Sequence, residues 1–308
     1  MRYRPFSATG GAVSDLTLSL GSHTLSRGPD AATALIYGAL EAGINAYRLE
    51  SADPVLAEVV GEALASVDRK LLNVSLVLGR PESGRGPRDF SAEGMTQSID
   101  RSLRISNLGW FDIAILDEPA EQELSQSSLN ALKALRATQR IHTLGVMGVD
   151  PVLDVYVSTG AFDVLTTPLH VNSPWQVRSR IRLARERDMT VIVENYFPDE
   201  LDTLRKASTI SDDPKPKGLF GLSFGRPSRP DPMKGVGGFA FLHQTANWSA
   251  EEICLAHVLS DTAVTSVVVQ TGDAAELAAL AAVPDRQMPP GLAAQIEMAR
   301  VSMARTAA

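Results

Sequence analysis

The chain has a single cysteine, Cys254, among 308 residues. That excludes an internal disulfide framework and fits a reducing cytoplasm. Cys254 sits in the amphipathic pattern "EEICLAHVLSD", which reads as a buried structural position. No run of about 18 apolar residues occurs, so no membrane span is expected. The first residues, "MRYRPFSATGG", lack the apolar segment of a signal peptide. Cations are outnumbered, 29 Lys and Arg against 36 Asp and Glu, giving a net charge of -7. A basic field that would draw in nucleic acid is therefore missing. The five histidines form no metal-ligand spacing and no Cys/His cluster exists. "GVGG" (235–238) lacks the spacing of a phosphate-binding loop.

What the chain does have is alternation. "DLTLSL", "INAYRL", "LLNVSLVL", "FDIAIL", "IHTLGVMGV", "FDVLTT", "MTVIVEN" and "VTSVVVQ" read as eight strands. Helical patterns lie between them, such as 30–43, stopped by Gly43, and 91–106, with Ser91 as a cap. Eight such units predict a single-domain (β/α)₈ barrel over 1–308, with a doubly wound sheet as second choice. Residues 207–247 are rich in Pro, Gly and basic side chains, including Lys215, Lys217, Arg226, Arg229 and Lys234, and read as a long loop or lid. The C-terminal pattern 289–306 predicts a helix packed on the barrel through Leu292, Ile296, Met298 and Val301.

In a barrel, function sits at the C-terminal strand ends. Those ends are Leu20, Arg48, Val77, Asp117 with Glu118, Met147, Thr166, Glu194 with Asn195, and Gln270. The set holds acids and one arginine, but no Lys, Tyr, His or Cys.

Segments spread along the chain resemble one family, the aldo-keto reductases. They are "MRYRPFSATGGAVSDLTL", "EAGINAYRLESADPVLAEVVGEAL", "SLRISNLGWFDIAILDEP", "LGVMGV", "FDVLTTPLHVN" and "ICLAHVLSDTAVTSVVVQTGDAAELAALAAV". The resemblance implies an N-terminal hairpin cap, NAD(P)(H) as cofactor and carbonyl reduction by an Asp, Tyr, Lys and His tetrad. Those four positions fall on Arg48, Asp53, Val77 (or Leu76 if the register slips by one) and Asp117. None of the four matches, so a non-catalytic member is expected. Arg48 is expected to pair with Asp53 or Asp117 across the mouth, filling the vacated site. Tyr47 should point away, because alternate strand residues face opposite ways.

For the cofactor, the resemblance places the adenosine half on Gln270, Thr271, Asp273 and Glu276. A basic residue that would grip a 2′-phosphate falls on Gly272. Asp273 follows it, favouring NADH over NADPH, although Asp273 equally suits a helix N-cap. Nicotinamide contacts fall on Met147 with Gly148, Thr166 and Glu194, with Tyr196 nearby as a stacking ring. Within the family, the chain resembles a cell-division regulator of alpha-proteobacteria. That implies as partners the tubulin-like protein FtsZ and the histidine kinase DivJ. The tail "ARTAA" resembles small-residue ends taken by bacterial AAA+ proteases.

Overall fold

A computed structural model describes residues 1–6, 10–81, 86–198, 201 and 237–306, without the side chains of 237–238 and 303–306. It closes the eight strands into a parallel barrel, so the doubly wound alternative is excluded. The barrel strands are β3 (Leu16–Leu20), β4 (Ala46–Leu49), β5 (Asn73–Leu78), β6 (Phe111–Asp117), β7 (Ile141–Met147), β8 (Val164–Pro168), β9 (Thr190–Glu194) and β10 (Ser266–Val269). Each pairs with its sequence neighbour, and β10 closes on β3 through Val267–Leu16 and Val269–Leu18.

An antiparallel hairpin, β1 (Tyr3–Phe6) and β2 (Gly11–Ser14), precedes the barrel as expected. Phe6 and Val13 from the hairpin join the apolar barrel interior with Ala46, Val77, Ile113, Ile115, Met147, Val164, Ile192 and Val268. These barrel positions share the inward row of their strands, which fixes the facing of Arg48, Asp117, Thr166, Glu194 and Gln270 by alternation. Arg4 locks the hairpin in place. Its Nε donates to Asp15 at 2.7 Å, and its Nη atoms donate to the carbonyls of Leu259, Asp261 and Val264.

The α-helices among the described residues are α1 (Ser22–Leu25), α2 (Pro29–Glu41), α3 (Pro54–Leu64), α4 (Ala92–Ser106), α5 (Gln126–Ala137), α6 (Val152–Thr159), α7 (Trp175–Glu186), α8 (Ala250–Leu259), α9 (Ala274–Ala282) and α10 (Leu292–Thr306). Ser91 caps α4 as expected, its Oγ accepting from the Gly94 amide at 3.0 Å. Cys254 is fully buried in α8, and burial pushes its thiol upward, so it stays an unreactive thiol.

Two expectations about the periphery need correction. The expected loop 207–247 lies largely outside the described residues, including all five of its basic side chains. Its end is a 3₁₀ helix, Gly237–Gln244, that buries Phe239 and Leu242 in the core. On α10, Leu292 and Ile296 pack inward, but Met298 and Val301 face solvent. None of the described helices is long and apolar enough to cross a membrane.

Candidate functional site

The barrel mouth is closed by a chain of alternating charges. Arg48 projects inward from β4 and is almost fully buried. Its Nε donates to Glu50 Oε1 at 2.7 Å and its Nη1 to Glu194 Oε2 on β9 at 2.9 Å. Glu50 also accepts from the Ser19 hydroxyl at 2.6 Å and from Arg80. Arg80 then grips Asp117 with two parallel bonds, Nε to Oδ2 at 2.8 Å and Nη2 to Oδ1 at 3.1 Å. Arg88 stands 3.6 Å from Asp117 and donates to Glu118 at 2.8 Å. Four carboxylates and three guanidiniums thus alternate from Glu194 to Glu118.

Such a chain answers the cost of burying charge, since each ion has an opposite neighbour and directed hydrogen bonds. Burial would take the proton from Arg48, but Glu50 and Glu194 outweigh it and keep the guanidinium charged. Burial would likewise raise the Glu50 carboxyl, but Arg48, the Ser19 hydroxyl and Arg80 outweigh it and hold it below the ordinary value. A carboxyl lowered on folding adds stability above its unfolded pKa of about 4.3 and loses it as pH falls through the lower folded value. Urea unfolding of the wild type is therefore expected to weaken more steeply below about pH 4.5 than that of Glu50→Gln. Parallel pH profiles would contradict this.

The expected pairing of Arg48 with Asp53 or Asp117 does not form. Asp53 instead caps α3, its Oδ1 accepting from the Val55 and Leu56 amides at 2.8 and 3.0 Å. A carboxylate just before a Pro-led helix meets the free amides of the first turn, and that local demand holds it out of the mouth. Asp53→Ala is expected to cost about 1 kcal/mol of stability, the usual loss of a cap, while ligand binding in the barrel mouth stays unchanged. A weaker ligand with stability intact would place Asp53 back in the site. Asp117 pairs with Arg80 because β6 ends level with the residues that follow β5, whereas Arg48 reaches β9.

Val77 lies among the apolar residues beneath this chain. Tyr47 is buried on the outer side of β4 and donates to the Ile44 carbonyl at 2.8 Å, as the alternation predicts. Sequence reading missed Glu50, Arg80 and Arg88. The available signal was spacing, because Glu50 follows Arg48 by two and Arg80 follows Val77 by three. Neither spacing says which acid lies opposite in a closed barrel.

Two clefts open on the mouth and share His23, Arg48, Glu194, Asn195 and Gln270. One, of about 410 Å³, runs over the charged chain and reaches Met147 and Gly148. Gly148 has φ 141°, and a Cβ there would stand 2.5 Å from Glu118 Cγ. The Glu118 side chain thus takes the space that a larger residue at position 148 would need. The other cleft, of about 440 Å³, runs along β10 to α9 past Tyr196, Thr271, Gly272 and Glu276, with Glu251 on its wall. His23 stands between the two clefts, its Nε2 donating to the Ser19 carbonyl at 3.1 Å. Burial lowers its pKa.

Of the residues expected to hold a cofactor, Gln270, Thr271, Glu276 and Tyr196 come together along the second cleft. Met147 borders the first. Thr166 faces inward beside Met147, and its buried hydroxyl lacks a hydrogen-bond partner. Asp273 is the N-cap of α9, its Oδ1 accepting from the Ala275 and Glu276 amides. Tyr196 is a poor stacking platform. It is buried in the main core and donates its hydroxyl to Glu251 at 2.9 Å. Burial, with the Glu251 charge, pushes that hydroxyl well above the usual phenol range. Among the described residues, no group of three or more His, Cys, Asp or Glu is placed to hold a metal.

The model of the aldo/keto reductase family matches residues 17–300. The chain belongs to that family. Its fold is similar to the aldo-keto reductase AKR11C1 from Bacillus halodurans. The holo form of that protein aligns with TM-score 0.74 and 18% identity over 97% of this chain and 96% of the other. The apo form aligns with TM-score 0.68 and 17% identity over 97% and 95%. No curated protein matches. At this identity the likeness speaks for the fold alone.

The family implies a nicotinamide dinucleotide, and the two clefts differ in how they suit one. The adenosine end keeps an open cleft lined by polar groups. Its wall carries Thr271 and Glu276, whose hydroxyl and carboxylate bond to each other, and the Gly272 backbone lies close to the His23 carbonyl, while the first amides of α9 are taken by Asp273. The nicotinamide end fits poorly, because Glu194 and Arg48 are locked together across it and Tyr196 has little ring surface free.

Proposed function

We propose that this chain is a non-catalytic aldo/keto reductase that binds NADH and acts through protein partners. The observation that carries the proposal is the ion chain from Glu194 to Glu118, which runs through Arg48 and Asp117 at two tetrad positions. The other two tetrad positions hold a buried valine, Val77, and a helix cap, Asp53. Carbonyl reduction needs a proton donor beside the carbonyl. Asp117, the acid at the position the resemblance gives to the histidine, is held bidentately by Arg80. The open cleft along β10 and α9 supports binding of the nucleotide, and its acidic wall of Glu251 and Glu276 favours a ribose without a 2′-phosphate.

The sequence resembles KidO, a cell-division regulator, and the proposed partners follow from that likeness: the tubulin-like FtsZ and the histidine kinase DivJ. The single buried cysteine and the absence of a membrane-spanning helix among the described residues favour a cytoplasmic setting. The alternative is an NAD(H)-dependent oxidoreductase with an atypical acid. Sedimentation of FtsZ polymers with this protein, with and without NADH, tests the partner reading. A polymer mass that responds to the protein is expected, and an unchanged mass in both arms would contradict it.

A further inference from the structure

We propose that the outer face of α7 is the surface on which a protein partner docks, and that it takes an acidic segment with one apolar anchor. Trp175 receives the anchor, and Arg178, Arg182 and Arg185 receive the carboxylates. The inference rests on the reading that the chain acts through protein partners, and deepens it by naming the surface and the partner's chemistry.

Two observations meet on this helix. The first is its composition. On a chain of net charge -7, α7 (WQVRSRIRLARE) carries four arginines and one acid, Glu186. Arg180 belongs to the fold: it is buried and donates to Asp154 at 2.6 Å. Ile181 and Ala184 are buried with it, which sets the inner face. Trp175, Arg178, Arg182 and Arg185 follow at i, i+3, i+7 and i+10, one line along the outer face. Trp175 is 68% exposed, the most exposed large apolar side chain among the described residues. Arg182 and Arg185 are exposed and have no ion-pair partner among the described residues.

The second observation is a shortage of counter-charge in the middle of the line. Arg178 reaches Glu297 on α10 only at 3.9 Å, and its buried Nε has no hydrogen-bond partner. Glu297 is committed elsewhere, since its Oε2 accepts from Arg300 Nε at 2.9 Å and Nη2 at 2.6 Å. Burial works against the charge of Arg178, and Glu297 and Asp261 do not offset it, while Arg300 adds to it, so its pKa lies below the ordinary value. A guanidinium stays charged all the same, so the place lacks an anion. With 28% of its side chain exposed, Arg178 can meet one from outside. A partner carboxylate there would accept a charge-assisted hydrogen bond. Tryptophan and arginine are also the residue types that anchor protein interfaces. The line spans about 15 Å, the length of a short acidic segment and not of an extended polyanion, which the chain's own charge repels.

The test uses a labelled helical peptide of Glu and Leu, about three turns long to match the line, with a peptide carrying Gln for Glu as control. Wild type should bind the Glu peptide and not the Gln peptide, and binding should shield Trp175 from acrylamide. Trp175→Ala, and Arg182→Glu combined with Arg185→Glu, should each weaken binding by about tenfold or more, with circular dichroism and NADH affinity as in wild type. Equal binding of both peptides, binding of neither, or binding unmoved by the substitutions would overturn the surface. So would tighter binding of oligoadenylate or of phosphatidylglycerol vesicles that the same variants lose, which would make the face a site for polyanions. In the FtsZ sedimentation assay, a polymer response kept by these variants would overturn the surface and leave the partner reading standing. Peptide binding that the variants lose, without any FtsZ response to wild type, would support the surface and overturn that partner.

Discussion

Replacing Arg48 with methionine is expected to cost about 3–5 kcal/mol of folding stability, the usual loss when one partner leaves a buried ion pair. The side chain is almost fully buried between Glu50 and Glu194. Glu50 would still have Ser19 and Arg80, but Glu194 has Arg48 as its ion-pair partner among the described residues. The loss should therefore fall mainly on Glu194. Arg48→Met combined with Glu194→Met is expected to recover much of the stability, because an apolar pair needs no countercharge. Urea unfolding monitored by circular dichroism measures both variants. A single variant as stable as wild type would mean the mouth is wet enough to solvate Glu194 alone.

The second expected result concerns chemistry. Wild-type protein with NADH and a panel of aldehydes and ketones should oxidise no more NADH than buffer does. A positioned proton donor alone contributes about 10²–10⁴ in rate. At the positions the resemblance gives to the tyrosine, lysine and histidine stand a helix cap, an apolar side chain and an acid bound to Arg80. His23 also lines both clefts, and its Nε2 is committed to the Ser19 carbonyl. Asp117→Asn and His23→Gln should leave the background rate unchanged. Turnover by wild type that either substitution removed would favour the atypical oxidoreductase.

The barrel was legible because periodicity is local. Each of the eight expected strands corresponds to a strand of the barrel, and the inward facing of Arg48, Val77 and Asp117 followed from alternation. The partner of Arg48 was not legible. Besides Glu50, it is Glu194, 146 residues away, and only closure of the sheet brings β9 within reach of β4. Arg80 escaped because it lies past the end of β5, where alternation no longer sets direction. Asp53 was misread although its signal was local: an acid before Pro54 and Val55 is a helix start. Position in the family's pattern outweighed that cue. At Asp273 the two cues coexisted, and the structure realises the cap while leaving one oxygen facing Arg27. The buried Phe239 and Leu242 were hidden by the Gly and Pro around them.

The central claim is that the family's fold holds the nucleotide without using its hydride. One titration of the purified chain with NADH, followed by addition of carbonyl substrates to the same sample, tests it most directly. The account predicts saturable binding and a reduced-nicotinamide absorbance that stays constant after the addition. Absence of binding at high micromolar NADH, or loss of that absorbance once a carbonyl is added, would contradict it.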